Sequence, residues 1–140
     1  MIRTLRQSDI DTVMNIWLSS NIQAHTFIPK EYWIKHFKQV KEMLPHSTVY
    51  VYEGNGSVQG FIGLTEHHIE GIFVAESMRG KGIGTQLLNQ AKQLFSSLTL
   101  QVYEQNQSAL QFYLKEGFQI KKKDIDADTG QTEFTMEWNL

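Results

Sequence analysis

Residues 2–6 alternate apolar and basic side chains, the period-two signature of a short strand. The period then lengthens. Ile10, Val13, Met14 and Trp17 mark one face of a helix that starts near Ser8, a capping residue, with acids in its first turn. That helix is expected to fade by Ser19, Ser20 and Asn21. Trp33, Phe37, Val40 and Leu44 mark a second helix, with Pro29 suited to its first turn and Pro45 past its end. Residues 48–53 and 58–65 alternate again about Gly54, Asn55 and Gly56 and read as a hairpin. Glu66, His67 and His68 lead into an apolar, β-prone run at residues 69–74. From Ile83, apolar residues recur at Leu87, Leu88, Ala91, Leu94, Phe95 and Leu98, one face of a long helix. A strand at 99–103, a helix at 107–116 with Asn106 as N-cap and Gly117 just beyond, and a hairpin of 119–126 with 132–138 complete the chain. The order β-α-α-β-β-β-α-β-α-β-β predicts an α/β (α+β) fold, a mixed central sheet with helices on both faces. No repeat, linker or low-complexity stretch interrupts it, so residues 1–140 are expected to form one domain.

The stretch around which the chain is organised is the strand Ile72-Phe73-Val74, the turn from Arg79 to Gly84, and the helix that follows. A helix N-terminus carries unpaired N–H groups and a partial positive charge. Glycines at 80, 82 and 84 let a ligand approach the backbone, and Arg79 and Lys81 add full charge. This predicts a phosphate or pyrophosphate ligand. The dinucleotide fingerprint G-x-G-x-x-G fails at Thr85, and the NTPase phosphate loop fails at Ala75 and Gly82. Arg79-Gly80-Lys81-Gly82-Ile83-Gly84 matches [Q/R]-x-x-G-x-[G/A], and resembles the acetyl-CoA pyrophosphate loop of the GNAT family of N-acetyltransferases. Downstream, Asn106 to Phe118 is similar to that family's second signature, N-x-x-A-x-x-[F/L]-Y-x-x-x-G-F. With the preceding hairpin, the resemblance covers nearly the whole chain. An Ala-His-x-Phe-Ile and a Tyr-Trp segment near the start are similar to small, single-domain bacterial members.

The resemblance implies a GNAT fold in which the strands at 69–74 and 98–103 splay apart to admit the pantetheine arm of acetyl-CoA. It places Ile72, Phe73 and Val74 beside that arm. Arg79, Gly80, Lys81, Gly82, Ile83, Gly84 and Thr85 are placed at the pyrophosphate. Asn106 is placed on the pantetheine and Tyr113 beside the coenzyme sulfur.

Composition narrows the chemistry. There are 140 residues, enough for one core, and a net charge of −2 gives no broad basic surface, so no nucleic-acid partner is expected and the phosphate attraction must be local. Cysteine is absent, which removes a thiol nucleophile and a disulfide. No run approaches a membrane span, so a cytoplasmic protein with no membrane partner is expected.

The implied reaction moves an acetyl group from a thioester to a primary amine by direct attack in a ternary complex. A lysine-like amine is neutral in about one molecule in a thousand at neutral pH, so a base is useful. Glu70 is the base expected here, on the argument that burial among Ile69 and Ile72 raises its pKa. Glu104, His25 or a water relay are the alternatives. Tyr113 is the expected acid, and backbone N–H groups at residues 72–74 are the expected oxyanion donors. Residues 19–33, with Asn21, His25, Phe27, Tyr32 and Trp33, are expected to shape the acceptor side. The acceptor would be a lysine side chain, a peptide N-terminus or a small amine. No metal is expected, because His67 and His68 lack spaced partners. Lys121, Lys122 and Lys123 read as a solvated edge strand. The other functions considered are an acyl-CoA sensor with little turnover and a structural or toxin–antitoxin-like interaction protein, the last of which predicts no coenzyme binding and runs against both motifs. Either a monomer or a homodimer is compatible.

Overall fold

The computed structural model describes residues 1–140. Its elements are β1 (Ile2–Thr4), α1 (Ile10–Ala24), α2 (Lys30–Met43), β2 (Thr48–Gly54), β3 (Ser57–Thr65), β4 (His68–Val74), α3 (Ile83–Leu94), β5 (Ser97–Tyr103), α4 (Gln107–Lys115), β6 (Gln119–Ile125) and β7 (Thr132–Asn139). The seven strands form one sheet in the order β1-β2-β3-β4-β5-β7-β6. Only β4 and β5 run parallel; every other neighbouring pair is antiparallel. The order of elements and the mixed sheet agree with the expectation from hydrophobic periodicity.

Two boundaries differ from that expectation. Helix α1 does not fade at Ser19 but runs to Ala24. Its polar residues bond back onto the helix: the Ser19 hydroxyl donates to the Asn15 carbonyl at 2.9 Å, and Asn21 Nδ2 donates to the Trp17 carbonyl at 2.9 Å. Polar side chains satisfied this way need not terminate a helix. Leu98 does not extend the face of α3. That helix stops at Leu94, Phe95 is extended (φ −134°, ψ 143°), and Leu98 is a buried residue of β5. At the chain start, a short 3₁₀ turn over Gln7–Asp9 precedes α1, and no Ser8 cap forms.

The sheet divides two hydrophobic cores. On one face α3 and α4 place Leu87, Leu88, Leu110 and Tyr113 over Ile62, Leu64, Leu98 and Leu100. On the other, α1 and α2 place Met14, Trp17 and Trp33 over Val49, Val51 and Phe61. Alternation along β4 is interrupted. Leu64 pairs with Ile69 and Gly63 with Gly71, which leaves Glu70 as an extra residue in a β-bulge. The bulge resets the faces: Ile69, Ile72 and Val74 turn to the α3/α4 core, Phe73 and Ala75 to the other. A bulge also bends its strand and increases the local twist. Strand β4 pairs with β5 only through His68–Thr99 and Ile69–Leu100, so the two part where the bulge begins.

Candidate active site

The parted strands open a cleft of about 860 Å³. Its walls come from β4, the turn into α3, the first turns of α3 and α4, and the last turn of α1. From β4 it takes Ile72, Phe73 and Val74, on the side where the ladder to β5 has ended. Arg79, Gly80, Gly82, Ile83, Gly84 and Thr85 follow along the turn. Asn106 and Tyr113 line it from α4 and its cap. Lys81 is exposed and is not among the lining residues.

Gly80 and Gly82 have φ of +77° and +81°, the left-handed region that a side chain disfavours. Gly82 is the N-cap of α3, so the N–H groups of Ile83, Gly84 and Thr85 have no carbonyl a turn earlier in the helix. They line the cleft and supply the anion-attracting end of the helix dipole. The Arg79 side chain bends back, its Nε donating to the Val74 carbonyl at 3.2 Å, and so ties the turn to the end of β4. The Thr85 hydroxyl donates to Glu116 Oε1 at 2.7 Å, joining α3 to the end of α4.

Tyr113 is 7% exposed, and its ring meets Phe112 and Phe118 edge-on at 5.2 and 5.6 Å. Burial pushes its phenol pKa up, which keeps the group protonated at neutral pH. Its hydroxyl has no hydrogen-bond partner within the protein, yet is not sealed in the core. Asn106 caps α4: its Oδ1 accepts the Ala109 N–H at 3.3 Å, while its Nδ2 lies 3.2 Å from His25 Nε2. His25 follows the last residue of α1, and its Nδ1 lies 3.0 Å from the Asn21 carbonyl. The imidazole stacks on Trp33 at 5.0 Å and meets Phe27 and Tyr103 edge-on. Burial holds the His25 pKa below its ordinary value, against the opposing hydrogen bond to Asn21.

Glu70 is not where a buried base would sit. The bulge turns it out of the alternation of β4, so it is exposed and does not line the cleft. The expectation of burial, and with it the argument for a raised pKa, is therefore corrected. Glu104 lies outside the lining as well, 3.7 Å from Lys123 Nζ. Residues 19–33 are mostly helix rather than loop, but Ser20, Asn21 and His25 do reach the cleft. Ser20 falls within the stretch expected to shape the acceptor side, although the sequence reading did not single it out. The available signal was that Ser20 and Asn21 continue the apolar stripe of Val13, Met14 and Trp17, where buried polar groups need a reason. Within the structure, no group of three or more His, Asp or Glu side chains converges as a metal site.

Comparisons with known proteins give the family and the fold. Residues 45–120 match the family model of the acetyltransferase (GNAT) domain. The chain is 31% identical over 140 residues to the peptidyl-lysine N-acetyltransferase YiaC of Escherichia coli (strain K12), covering 99% of this chain and 96% of YiaC. The solution structure of apo YjaB from Escherichia coli superposes with a TM-score of 0.87 at 27% identity, covering 99% of this chain and 96% of that one. An acetyltransferase of Bacillus anthracis (strain Ames), solved in complex with acetyl coenzyme A, superposes at 0.63 and 25% identity over 67% of this chain and 62% of its own. A family model that spans more than half of the chain and a full-length relative at 31% identity agree, and the chain belongs to the GNAT family of N-acetyltransferases.

Proposed function

We propose that this chain acetylates the ε-amine of lysine in a protein or peptide, with acetyl-CoA as donor bound in the cleft. The supporting observation is continuity. One cleft runs from the unladdered edge of β4 to the N-terminus of α3, with the Tyr113 hydroxyl unpartnered beside it. A pyrophosphate fits the first-turn N–H groups of α3 and the glycines before them. The amide arm fits the free edge of β4 by strand-like pairing, as a peptide adds to a sheet edge. Asn106 contacts the same arm.

The acceptor amine, once neutral, attacks the thioester carbonyl carbon. A C–N bond forms, the C–S bond breaks, and the amine's proton leaves to water or a carboxylate. Backbone N–H groups of Ile72 to Val74 steady the oxyanion. Tyr113, kept protonated by burial, gives its proton to the departing sulfur and regains one from solvent. His25 is unsuited as base, because both its nitrogens are already engaged. Glu70, on the solvent side of the bulge, remains an acceptor for the proton.

The lysine preference has two supports. The relative YiaC is a peptidyl-lysine N-acetyltransferase. Next to His25, Tyr103 donates to Asp126 at 2.5 Å. Burial first, then Asp126 and Asp124, push the Glu133 pKa up. Lys122 pairs with Asp124 at 3.2 Å, which leaves Asp126 and Glu133 to attract a cationic acceptor.

The test is CoA release from acetyl-CoA over an amine panel: Nα-blocked lysine peptides, peptides with free N-termini, polyamines and aminoglycosides. Release with the blocked lysine peptides above all others is expected. Release only with free N-termini or small amines rejects the lysine assignment. Tight acetyl-CoA binding with no release from any acceptor favours a sensor instead.

A further inference from the structure

We infer that His25 is a positioning residue for Asn106: its imidazole decides which end of the Asn106 amide turns to the cleft, so that the coenzyme arm meets an N–H donor there. This rests on the coenzyme reading above.

The argument is a chain of forced choices. The Asn21 carbonyl has no proton to give, so at 3.0 Å His25 Nδ1 must carry the hydrogen. The imidazole is buried, 9% exposed, among three aromatic rings, and stays neutral. Its Nε2 is then a lone pair and nothing else. Across 3.2 Å, Asn106 has to present its NH₂ and not its oxygen. The oxygen turns the other way and accepts the Ala109 N–H, capping α4. One Nδ2 hydrogen is spent on His25, and the second is left for the cleft that Asn106 lines. A backbone carbonyl in the last turn of α1 thereby sets the polarity of a group at the start of α4. The matching ligand chemistry is a carbonyl oxygen, as in the amides of an acyl-CoA arm. The same contact joins the end of α1 to the start of α4, two walls of the cleft.

Trp33, Phe27 and Tyr103 hold the ring in place whether or not it accepts a hydrogen bond, which makes the acceptor separable from the packing. His25→Phe keeps an aromatic ring and removes the Nε2 lone pair. His25→Gln places an amide oxygen near the old Nε2 position. Acetyl-CoA affinity is measured by calorimetry for the wild type, His25→Phe, His25→Gln, Asn106→Ala and the double variant His25→Phe with Asn106→Ala. Melting temperatures are recorded alongside. His25→Phe is expected to weaken binding about five- to tenfold, the scale of one hydrogen bond. His25→Gln should recover most of that loss, and His25→Phe should add nothing once Asn106 is Ala. Multiplying losses in the double variant, or His25→Gln as weak as His25→Phe, overturns the proposal.

A second arm needs no ligand. In NMR spectra of the unliganded protein, the Asn106 side-chain NH₂ signals should shift and exchange faster with water in His25→Phe. Unchanged signals overturn the link. A wild type that binds no acetyl-CoA while those signals do respond overturns the coenzyme reading and the positioning role built on it, with the side-chain contact still standing.

Discussion

Tyr113 carries the most consequence per atom. Its ring packs against Phe112 and Phe118, and it lines the cleft. On the proposed mechanism, a neutral phenol there would donate to the coenzyme sulfur better than water, because its position is already set. The leaving thiolate is stable enough to depart unaided at some rate, with a parent pKa near about 8.5 by analogy with cysteine. The loss on removing the acid should therefore sit at the low end for general acids. Tyr113→Phe is expected to lower kcat about 100-fold, with acetyl-CoA affinity within about twofold of wild type. Calorimetry and steady-state rates check the two halves separately, and an unchanged kcat removes Tyr113 as the acid. The position was legible because it sits in a long spaced motif. Glu70 was not placed correctly, although its neighbours are as apolar as a buried strand requires. Its exposure depends on one unpaired residue in a ladder, and no periodicity within β4 announces that.

At the scale of the element, the turn from β4 into α3 shows what glycine does here. At Gly82 a Cβ would meet nothing within 4 Å, so the demand for glycine comes from its φ of +81° and not from crowding. Gly82→Ala is expected to cost about 1–2 kcal/mol of stability through that strain. Gly82→Glu adds the same strain and a negative charge at the start of α3, where the helix dipole favours an anion. Gly82→Glu should melt no lower than Gly82→Ala, while its carboxylate repels the pyrophosphate and its loss of acetyl-CoA binding far exceeds that of Gly82→Ala. Equal affinities would show that no pyrophosphate lies at this helix end. Gly71 is a different case: a Cβ there would come within 2.4 Å of the Phe73 ring, which folds back over the strand. The first kind of glycine was legible from its spacing ahead of a helix. The second depends on a rotamer of a neighbour and has no mark in the chain.

Across the whole molecule, the sequence showed which stretches are strands but left open how β1 and the final hairpin are ordered about the β4–β5 wedge. That order follows from long-range contacts, one of which can be tested at the edge of the sheet. Arg3 on β1 donates to both oxygens of Asp9, at 2.8 and 3.0 Å, and to Glu53 of β2 at 2.6 Å. It thereby fastens the turn that begins α1 to the sheet, at the opposite end of the helix from His25. Asp9 also accepts the Arg6 N–H at 2.7 Å and is 7% exposed. The bond from Arg3 holds the Asp9 pKa below its ordinary value, in spite of burial. A carboxylate with a depressed folded pKa contributes stability that is fully present above its unfolded pKa, near about 3.9, and is lost as pH falls through the lower folded value. Arg3→Met should cost about 3 kcal/mol at pH 7, because it strands a buried carboxylate beside the apolar start of α1. Urea unfolding from pH 7 down to pH 3 measures both effects. The gap between wild type and variant should be widest near pH 7 and narrow as pH falls, first as the stranded Asp9 of the variant takes up a proton above pH 4, then as the paired Asp9 of the wild type does so below it. A gap that stays constant to pH 3 would mean that the Arg3–Asp9 pair does not govern the acid limb, and that the apolar face of α1, with Val13, Met14, Ile16 and Trp17, holds it against the sheet.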